Sequence, residues 1–243
     1  MVKLHLAILF ILVSLSSVGK AQAQTYNAAD DFSHAINPNG AWSYGFSSSL
    51  GGFTPYTGSG IFLGNATLPA WLGAAPGNVA LDPWVTKNVS NTMQTGLGLQ
   101  LAPGDLAFHP GPQGQYSIVR WTAPTAGDFS VGGLFESGDR FVGSTVDVHV
   151  LENGSSLLST NLVGPLGTQT SPFSFLRTLN IGDTIDFAVG FGPNSNFGSD
   201  STVLDATITT RPLSPPASVP EPSSLFGLGC LGAFVYWQQR RTS

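Results

Sequence analysis

Cysteine is almost absent from this chain. Cys230 is the only cysteine among 243 residues, and it lies close to the C-terminus. Residues 24–218 therefore can form no disulfide, hold no metal through thiolates and offer no cysteine nucleophile. The stability of this region must come from side-chain packing, alone or together with a bound ion.

Charge is also scarce, since charged residues make up 9 % of the chain. Between residues 24 and 218, five Lys and Arg face thirteen Asp and Glu, so this region is acidic. Because phosphate binding needs a basic face, the composition excludes a nucleic-acid partner.

Catalytic motifs are missing as well. His34, His109 and His149 share no metal-ligand spacing such as H-x-x-x-H, and no serine stands in a G-x-S-x-G motif. The sequence therefore predicts a protein without enzymatic activity.

Three carboxylate pairs keep a glycoside-active enzyme open as a minor alternative. They are Asp30 with Asp31, Glu136 with Asp139, and Asp183 with Asp186. Turn residues surround the second and third pairs, which favours surface acids over an active site.

Long amphipathic helices are not visible, whereas Gly and Pro number 30 and 17. This mixture is typical of short strands joined by tight turns. β-Branched and aromatic residues predict strands at 41–46, 116–121, 128–135, 144–151, 157–163, 173–179, 184–191 and 202–210. The pattern predicts an antiparallel, jelly-roll-like β-sandwich over residues 24–210, and residues 50–114 are expected to hold loops and further short strands.

Alternation assigns faces to some of these strands. Segment 144–151 places three valines inward and Thr145, Asp147 and His149 outward. Asn153 and Gly154 then predict a tight hairpin, because both residues accept a positive φ at low cost.

Two tryptophans are candidates for sugar binding. Trp71 and Trp84 each lie near a proline and are predicted in loops, where a ring can meet the C–H face of a sugar. The alternative is that both rings close the ends of the sandwich. Trp42 and Trp121 fall within predicted strands and are expected in the core.

A structural calcium ion is a further hypothesis. Asp30 and Asp31 precede the first strand and Asp205 lies on the last, two ends that commonly run side by side in a jelly roll. Carboxylates and backbone carbonyls are the ligands that Ca²⁺ prefers. Otherwise the sequence predicts no cofactor.

The N-terminus carries the pattern of a secretory signal peptide over residues 1–23. Lys3 precedes an apolar run at 4–15, and Ala21 and Ala23 form an A-x-A cleavage site. We expect the Sec translocon to export the chain and signal peptidase to cut it after Ala23.

The C-terminus combines three features in a fixed order. A proline-rich linker, 211–218, leads to Val219, Pro220, Glu221 and Pro222, and the uncharged segment 225–237 follows. That segment ends on Tyr236 and Trp237, and Arg240 and Arg241 come directly after it. Thirteen helical residues span roughly 20 Å, short of the roughly 30 Å core of a bilayer. The segment is therefore predicted to be a short transmembrane helix that anchors the chain transiently in the inner membrane, with both arginines on the cytoplasmic side.

These residues resemble the PEP-CTERM sorting signal of Gram-negative bacteria. The resemblance covers residues 219–243 and implies cleavage near Pro220 to Pro222 by an exosortase-type enzyme, followed by release or attachment at the cell surface. Residues 24–210 in turn resemble carbohydrate-binding modules and galactose-binding-like sandwiches in their strand pattern. We therefore expect an exported cell-surface or extracellular-matrix protein with a structural role; the alternative is a carbohydrate-binding module, with an extracellular polysaccharide as partner.

Overall fold

Antiparallel strands make up most of the part of the chain that the computed structural model describes, namely residues 22–73, 78–79, 81–139, 143–165 and 167–211. In chain order the strands are β1 (Thr25–Asn27), β2 (Trp42–Ser47), β3 (Thr54–Pro55), β4 (Gly58–Ile61), β5 (Pro69–Leu72), β6 (Trp84–Lys87), β7 (Gln94–Gly96), β8 (Leu99–Leu101), β9 (Leu106–His109), β10 (Tyr116–Thr122), β11 (Gly127–Ser137), β12 (Ser144–Glu152), β13 (Ser155–Gly164), β14 (Thr170–Leu179), β15 (Thr184–Gly190) and β16 (Thr202–Arg211). A single 3-10 turn, Phe62–Gly64, follows β4.

The strands form two large sheets. The eight-stranded sheet has the order β14-β11-β16-β9-β6-β5-β4, and β1 pairs with the second half of β16. The six-stranded sheet has the order β13-β12-β15-β10-β2-β3. Strands β7 and β8 form a separate hairpin.

The last eight strands, β9 to β16, define the topology of the sandwich. Strands β9, β16, β11 and β14 are neighbours in one sheet, and β10, β15, β12 and β13 are neighbours in the other. The chain thus changes sheet at every connection except the β12–β13 hairpin, which is the strand order of a jelly roll. The predicted antiparallel β-sandwich is confirmed.

The main core lies between the sheets because alternate residues of both point inward. Phe187 of the six-stranded sheet packs against Phe135 and Phe173 of the eight-stranded sheet, with ring centroids 6.4 and 5.5 Å apart. Trp121 meets Phe129 edge to face at 5.1 Å. Trp42 and Trp121 are buried there as predicted.

A second, smaller core lies on the outer face of the eight-stranded sheet. Phe62, Leu68, Leu72 and Trp84 belong to it, together with residues of the β7–β8 hairpin. It forms because Trp71 of β5 points into the main core while its strand neighbours Ala70 and Leu72 point the other way. The segment 50–114 therefore holds both loops and short strands, as expected.

The strands predicted after residue 115 are all present, and their ends shift by at most three residues. The Asn153-Gly154 turn is confirmed, with φ of 49° and 78°. Three details differ. His149 faces outward on β12 but is buried, Phe191 lies beyond the end of β15, and Arg211 belongs to β16 rather than to a linker.

Both terminal segments fall outside the described residues. This applies to the predicted signal helix, to most of the linker and to the whole sorting segment, including Val219 to Pro222 and Tyr236 to Arg241. Within the described ranges, no helix has the length and apolar character needed to cross a membrane.

Candidate functional site

Polar side chains gather on the outer face of the six-stranded sheet. Arg120 on β10, Asp186 on β15, and Asp147 and His149 on β12 occupy outward positions of three adjacent strands. A sandwich normally leaves such a face to solvent, yet Asp186 is fully buried and His149 is 4 % exposed. Other residues of the chain therefore cover part of this face and shield it from solvent.

One half of the face is closed. Arg120 donates two hydrogen bonds to Asp186, from Nε to Oδ1 at 2.6 Å and from an Nη to Oδ2 at 2.7 Å. Phe53, in the loop between β2 and β3, covers the guanidinium at 4.2 Å. Because these charged groups are paired with each other and covered by Phe53, this half of the face contributes to the stability of the fold and is not open to a ligand.

The other half is open and forms a pocket of about 300 Å³. Its lining consists of Gly114, Tyr116, Asp147, Asn161, Phe191, Gly192 and Pro193. The residues come from three strands and two loops, and the register places Asn161 of β13 directly opposite Asp147 of β12. Two aromatic rings therefore share one recess with a carboxylate and an amide.

Asp147 is held in one orientation by two hydrogen bonds. His149 donates from Nε2 to Oδ2 at 2.7 Å, and the backbone N–H of Gly192 donates to Oδ1 at 2.7 Å. Gly192 has φ of 64°, and a Cβ there would collide with the carbonyl oxygen of Thr145, so only glycine fits this approach. Burial alone would raise the pKa of Asp147, but the hydrogen bonds from His149 and Gly192 outweigh it and lower the pKa.

Tyr116 is fixed beside this carboxylate. Its ring meets His149 edge to face at 5.7 Å. A Cβ on Gly190 would overlap Asp147 Oδ1 and lie 2.5 Å from Tyr116 Cε1. Because glycine has no Cβ, the side chains of Asp147 and Tyr116 can lie close against the sheet. Burial, then the charge of Asp147 and a hydrogen bond to this carboxylate, raise the pKa of Tyr116. Its hydroxyl therefore stays protonated, and its proton is directed at Asp147.

The pocket offers ring faces, an ionised carboxylate, an amide and a hydroxyl in a recess open to solvent. The lowered pKa of Asp147 keeps this carboxylate ionised, so it can accept hydrogen bonds from a ligand. The pocket can therefore offer hydrogen bonds and ring contacts.

The structure corrects the predicted position of Trp71 and Trp84. Both lie in strands, β5 and β6, and not in loops, and they are 7 % and 2 % exposed. Trp71 Nε1 donates to the backbone carbonyl of Ser33 at 2.7 Å, and its ring belongs to the main core. Neither ring presents a free face on the surface, so they form no exposed sugar platform.

The residues predicted to hold calcium are not brought together. Strands β1 and β16 do run side by side, as expected. However, Asp31 accepts hydrogen bonds from Asn27 N and Trp42 Nε1, while Asp30 and Asp205 are exposed. In the described ranges no three acidic, histidine or cysteine side chains cluster as metal ligands.

The carboxylate pairs also have other partners. Asp186 is bound by Arg120, and Asp183 accepts from Asn180 N at 2.7 Å and from Asn153 Nδ2 at 3.1 Å in a turn. Asp139 accepts from Ser201 N at 2.7 Å. Each of these three carboxylates therefore has a hydrogen-bond donor of its own in the fold.

Sequence reasoning missed the residues of the pocket. The sequence does indicate part of the pocket, because Asp147 and His149 are two residues apart on a predicted strand and both are expected to point outward. Tyr116 and Asn161 carried no such signal, since their position beside Asp147 depends on how β10, β12, β13 and β15 pair.

Comparison with family models finds no match, and comparison with curated proteins finds none either. Among solved structures, the chain is similar to a family 35 carbohydrate-binding module from Clostridium thermocellum, with 14 % identity over 77 % of this chain and 98 % of the module, and a TM-score of 0.31. It is also similar to CBM51 of Clostridium perfringens, solved in complex with methyl-galactose, with 12 % identity over 68 % and 99 %, and a TM-score of 0.35. An exo-beta-1,3-galactanase from Phanerochaete chrysosporium matches with 24 % identity over 49 % of this chain and 25 % of the enzyme, at a TM-score of 0.26. Likenesses this distant assign no ligand and no family.

Proposed function

We propose that this protein is an exported, non-enzymatic carbohydrate-binding protein whose site is the pocket around Tyr116 and Asp147. The observation that carries the proposal is the recess on the six-stranded sheet, where Tyr116 and Phe191 stand beside Asp147 and Asn161. A sugar has apolar C–H faces and many hydroxyls, and it needs both kinds of contact at once.

The charge state of the pocket supports the same class of ligand. Asp147 is an oriented acceptor, Asn161 is both donor and acceptor, and Tyr116 keeps its proton. Hydroxyl groups can satisfy all three because each hydroxyl donates and accepts. An anionic ligand would instead be repelled by Asp147.

The first prediction concerns binding of polysaccharide by the full-length chain. Tyr116→Ala should weaken affinity by about tenfold or more, because it removes a ring contact. Asn161→Ala should weaken it by about threefold to tenfold, the effect of losing one neutral hydrogen bond. A glycan array identifies the polysaccharide, and titration calorimetry measures both variants against it.

Leu176→Ala is the matched control, because Leu176 is 63 % exposed on the outer face of the other sheet. It should leave the affinity unchanged. A full-length chain that binds no polysaccharide would instead favour a purely structural role in the extracellular matrix.

The route to the cell surface is a second part of the proposal, and it rests on the sequence of the two termini. The signal-peptide pattern at 1–23 directs the chain to the Sec translocon and signal peptidase. The segment 219–243, with its resemblance to PEP-CTERM signals, holds the chain in the inner membrane until an exosortase-type enzyme cuts it.

Mass spectrometry of the protein recovered from the native cell surface tests this route. We expect an N-terminus at Gln24 and a C-terminus between residues 219 and 222. Replacing Pro220 and Pro222 with alanine should leave the C-terminal segment attached, because the extended backbone that a processing enzyme reads is lost. Surface protein that retains Arg241 would contradict the sorting proposal and leave the sugar-binding proposal intact.

A further inference from the structure

A second cavity, of about 170 Å³, lies on the outer face of the eight-stranded sheet beside the smaller core. It is lined by Phe62, Val79, Trp84, Leu97, His109, Asp139, Phe197, Gly198, Ser199 and Ser201. It shares no lining residue with the pocket around Tyr116. A ligand in this cavity therefore binds apart from the proposed sugar site.

Aromatic rings build its walls in a fixed arrangement. Trp84 stacks on His109, with centroids 5.2 Å apart and planes at 18°. Phe62 meets Trp84 edge to face at 5.0 Å, and Phe197 meets His109 in the same way at 6.0 Å. Rings that already pack on one another need little rearrangement to receive an apolar ligand.

His109 contributes a hydrogen-bond acceptor. Its Nδ1 lies 2.7 Å from the backbone carbonyl of Pro110, which can only accept, so the proton is on Nδ1. Burial lowers the pKa of His109 to about 4, and the ring is neutral at physiological pH. Nε2 is then an unprotonated nitrogen that can accept a hydrogen bond.

Asp139 contributes a buried negative charge. It is 1 % exposed, and Oδ2 accepts from Ser201 N at 2.7 Å. Among the described residues, Arg120 pairs with Asp186, Arg177 pairs with Glu152, and His149 is hydrogen-bonded to Asp147; none of these contacts includes Asp139. Burial raises the pKa of this carboxyl to about 6, so it is ionised at neutral pH without a charged partner in the described chain.

We propose that this cavity binds a small organic ammonium ion, with Asp139 as its counter-ion and the rings of Phe62, Trp84 and Phe197 against its carbon atoms. An ammonium group satisfies both the carboxylate and the His109 acceptor, and it is attracted to aromatic faces. Among the lining residues that the structure describes there is no Lys or Arg that would repel it. The excess of acidic residues in the domain also favours the approach of a cation.

Titration calorimetry on the full-length protein tests the site with benzylammonium chloride at pH 7.5, and benzyl alcohol serves as the neutral probe of the same shape. We expect saturable binding of benzylammonium and at least about tenfold weaker binding of benzyl alcohol, since the alcohol lacks the charge. Asp139→Asn should weaken benzylammonium binding by about tenfold or more, whereas Asp205→Asn, at an exposed carboxylate, should not.

A pH series on the unmodified protein covers the case in which Asp139→Asn does not fold. Affinity for benzylammonium should fall severalfold between pH 7.5 and pH 5, because the carboxyl of Asp139 takes up a proton there. Asp200, which interacts electrostatically with Asp139 and has a pKa raised to about 7, is protonated over the same range and adds to the loss of negative charge. Equal binding of the two probes, affinity independent of pH, or absence of saturable benzylammonium binding would each overturn the proposal. None of these outcomes bears on the polysaccharide titration.

Discussion

Arg120→Met should destabilise the protein by about 3–5 kcal/mol, the usual consequence of leaving a buried charge without its partner. Asp186 is fully buried, and both of its oxygens accept hydrogen bonds from Arg120. Methionine keeps most of the side-chain length but leaves the carboxylate without a donor. Urea denaturation followed by tryptophan fluorescence gives the free energy of unfolding.

Two variants separate the lost charge pair from the lost packing. The double variant Arg120→Met with Asp186→Leu should recover most of the stability, because no unpaired charge remains. Arg177→Met removes another ion pair, with Glu152, but this arginine is 38 % exposed and the loss should be small. Equal losses for Arg120→Met and Arg177→Met would show that Asp186 is solvated and that the face is not closed.

Acidification should stabilise the protein between about pH 8 and pH 4. Burial raises the pKa of Asp139 to about 6, and burial together with the charges of Asp139 and Asp147 raises that of Asp200 to about 7. In this range the folded state holds protons that the unfolded state has released. The stability that these two carboxyls contribute is complete below about pH 4 and is lost as the pH rises through 6 to 7. His109 opposes it below about pH 6.5, because burial lowers the pKa of this histidine to about 4 and the unfolded state takes up the proton first, so the gain in stability is steepest between pH 8 and pH 6.

Asp200 should account for most of this dependence. It is fully buried, its Oδ1 accepts from Thr145 N at 3.2 Å, and its Oδ2 has no hydrogen-bond partner. At about 1.4 kcal/mol per unit of pKa, ionising Asp200 costs on the order of 3–4 kcal/mol. Asp200→Asn should therefore raise the free energy of unfolding at pH 8 and flatten its pH profile, as measured by urea denaturation at several pH values.

The matched control is Asp30→Asn, which changes an exposed carboxylate. It should leave the pH profile of stability as it is in the unmodified protein. If the unmodified protein becomes less stable from pH 8 to pH 6, the carboxyls of Asp139 and Asp200 carry no excess protons, which contradicts this prediction.

The strands were predictable wherever one face is buried and the other is solvated. In β12 and β16 apolar and other residues alternate from Val146 to Val150 and from Leu204 to Ile208, so the sequence alone indicates which of these side chains enter the core. The short strands β3 to β9 gave no such pattern. Several of them are buried on both faces, because a second core covers the outside of their sheet.

The same second core explains why the sequence around Trp84 predicts a loop. Its segment is only four residues long, and three of these residues are buried. A strand buried on both faces has no polar alternation, and the neighbouring Pro83 reads as a turn signal. The ring is covered by Phe62 and His109, which are distant in sequence and which no local pattern could connect to it.

The pocket could be predicted only in part, for a related reason. The outward direction of Asp147 follows from alternation along β12. Its neighbours follow from the pairing of strands, which puts Asn161 opposite Asp147 and brings Gly190 between Asp147 and Tyr116. Such contacts depend on the register between strands, and a single sequence does not give that register.

The most direct test is a nuclear magnetic resonance titration of the full-length protein with the polysaccharide that it selects on a glycan array. If the pocket is the binding site, backbone amide shifts will change at Tyr116, Asp147, Asn161 and Gly192 and will remain constant around Trp71. Changes confined to the outer face of the eight-stranded sheet, or no changes at saturating polysaccharide, would contradict the proposed site.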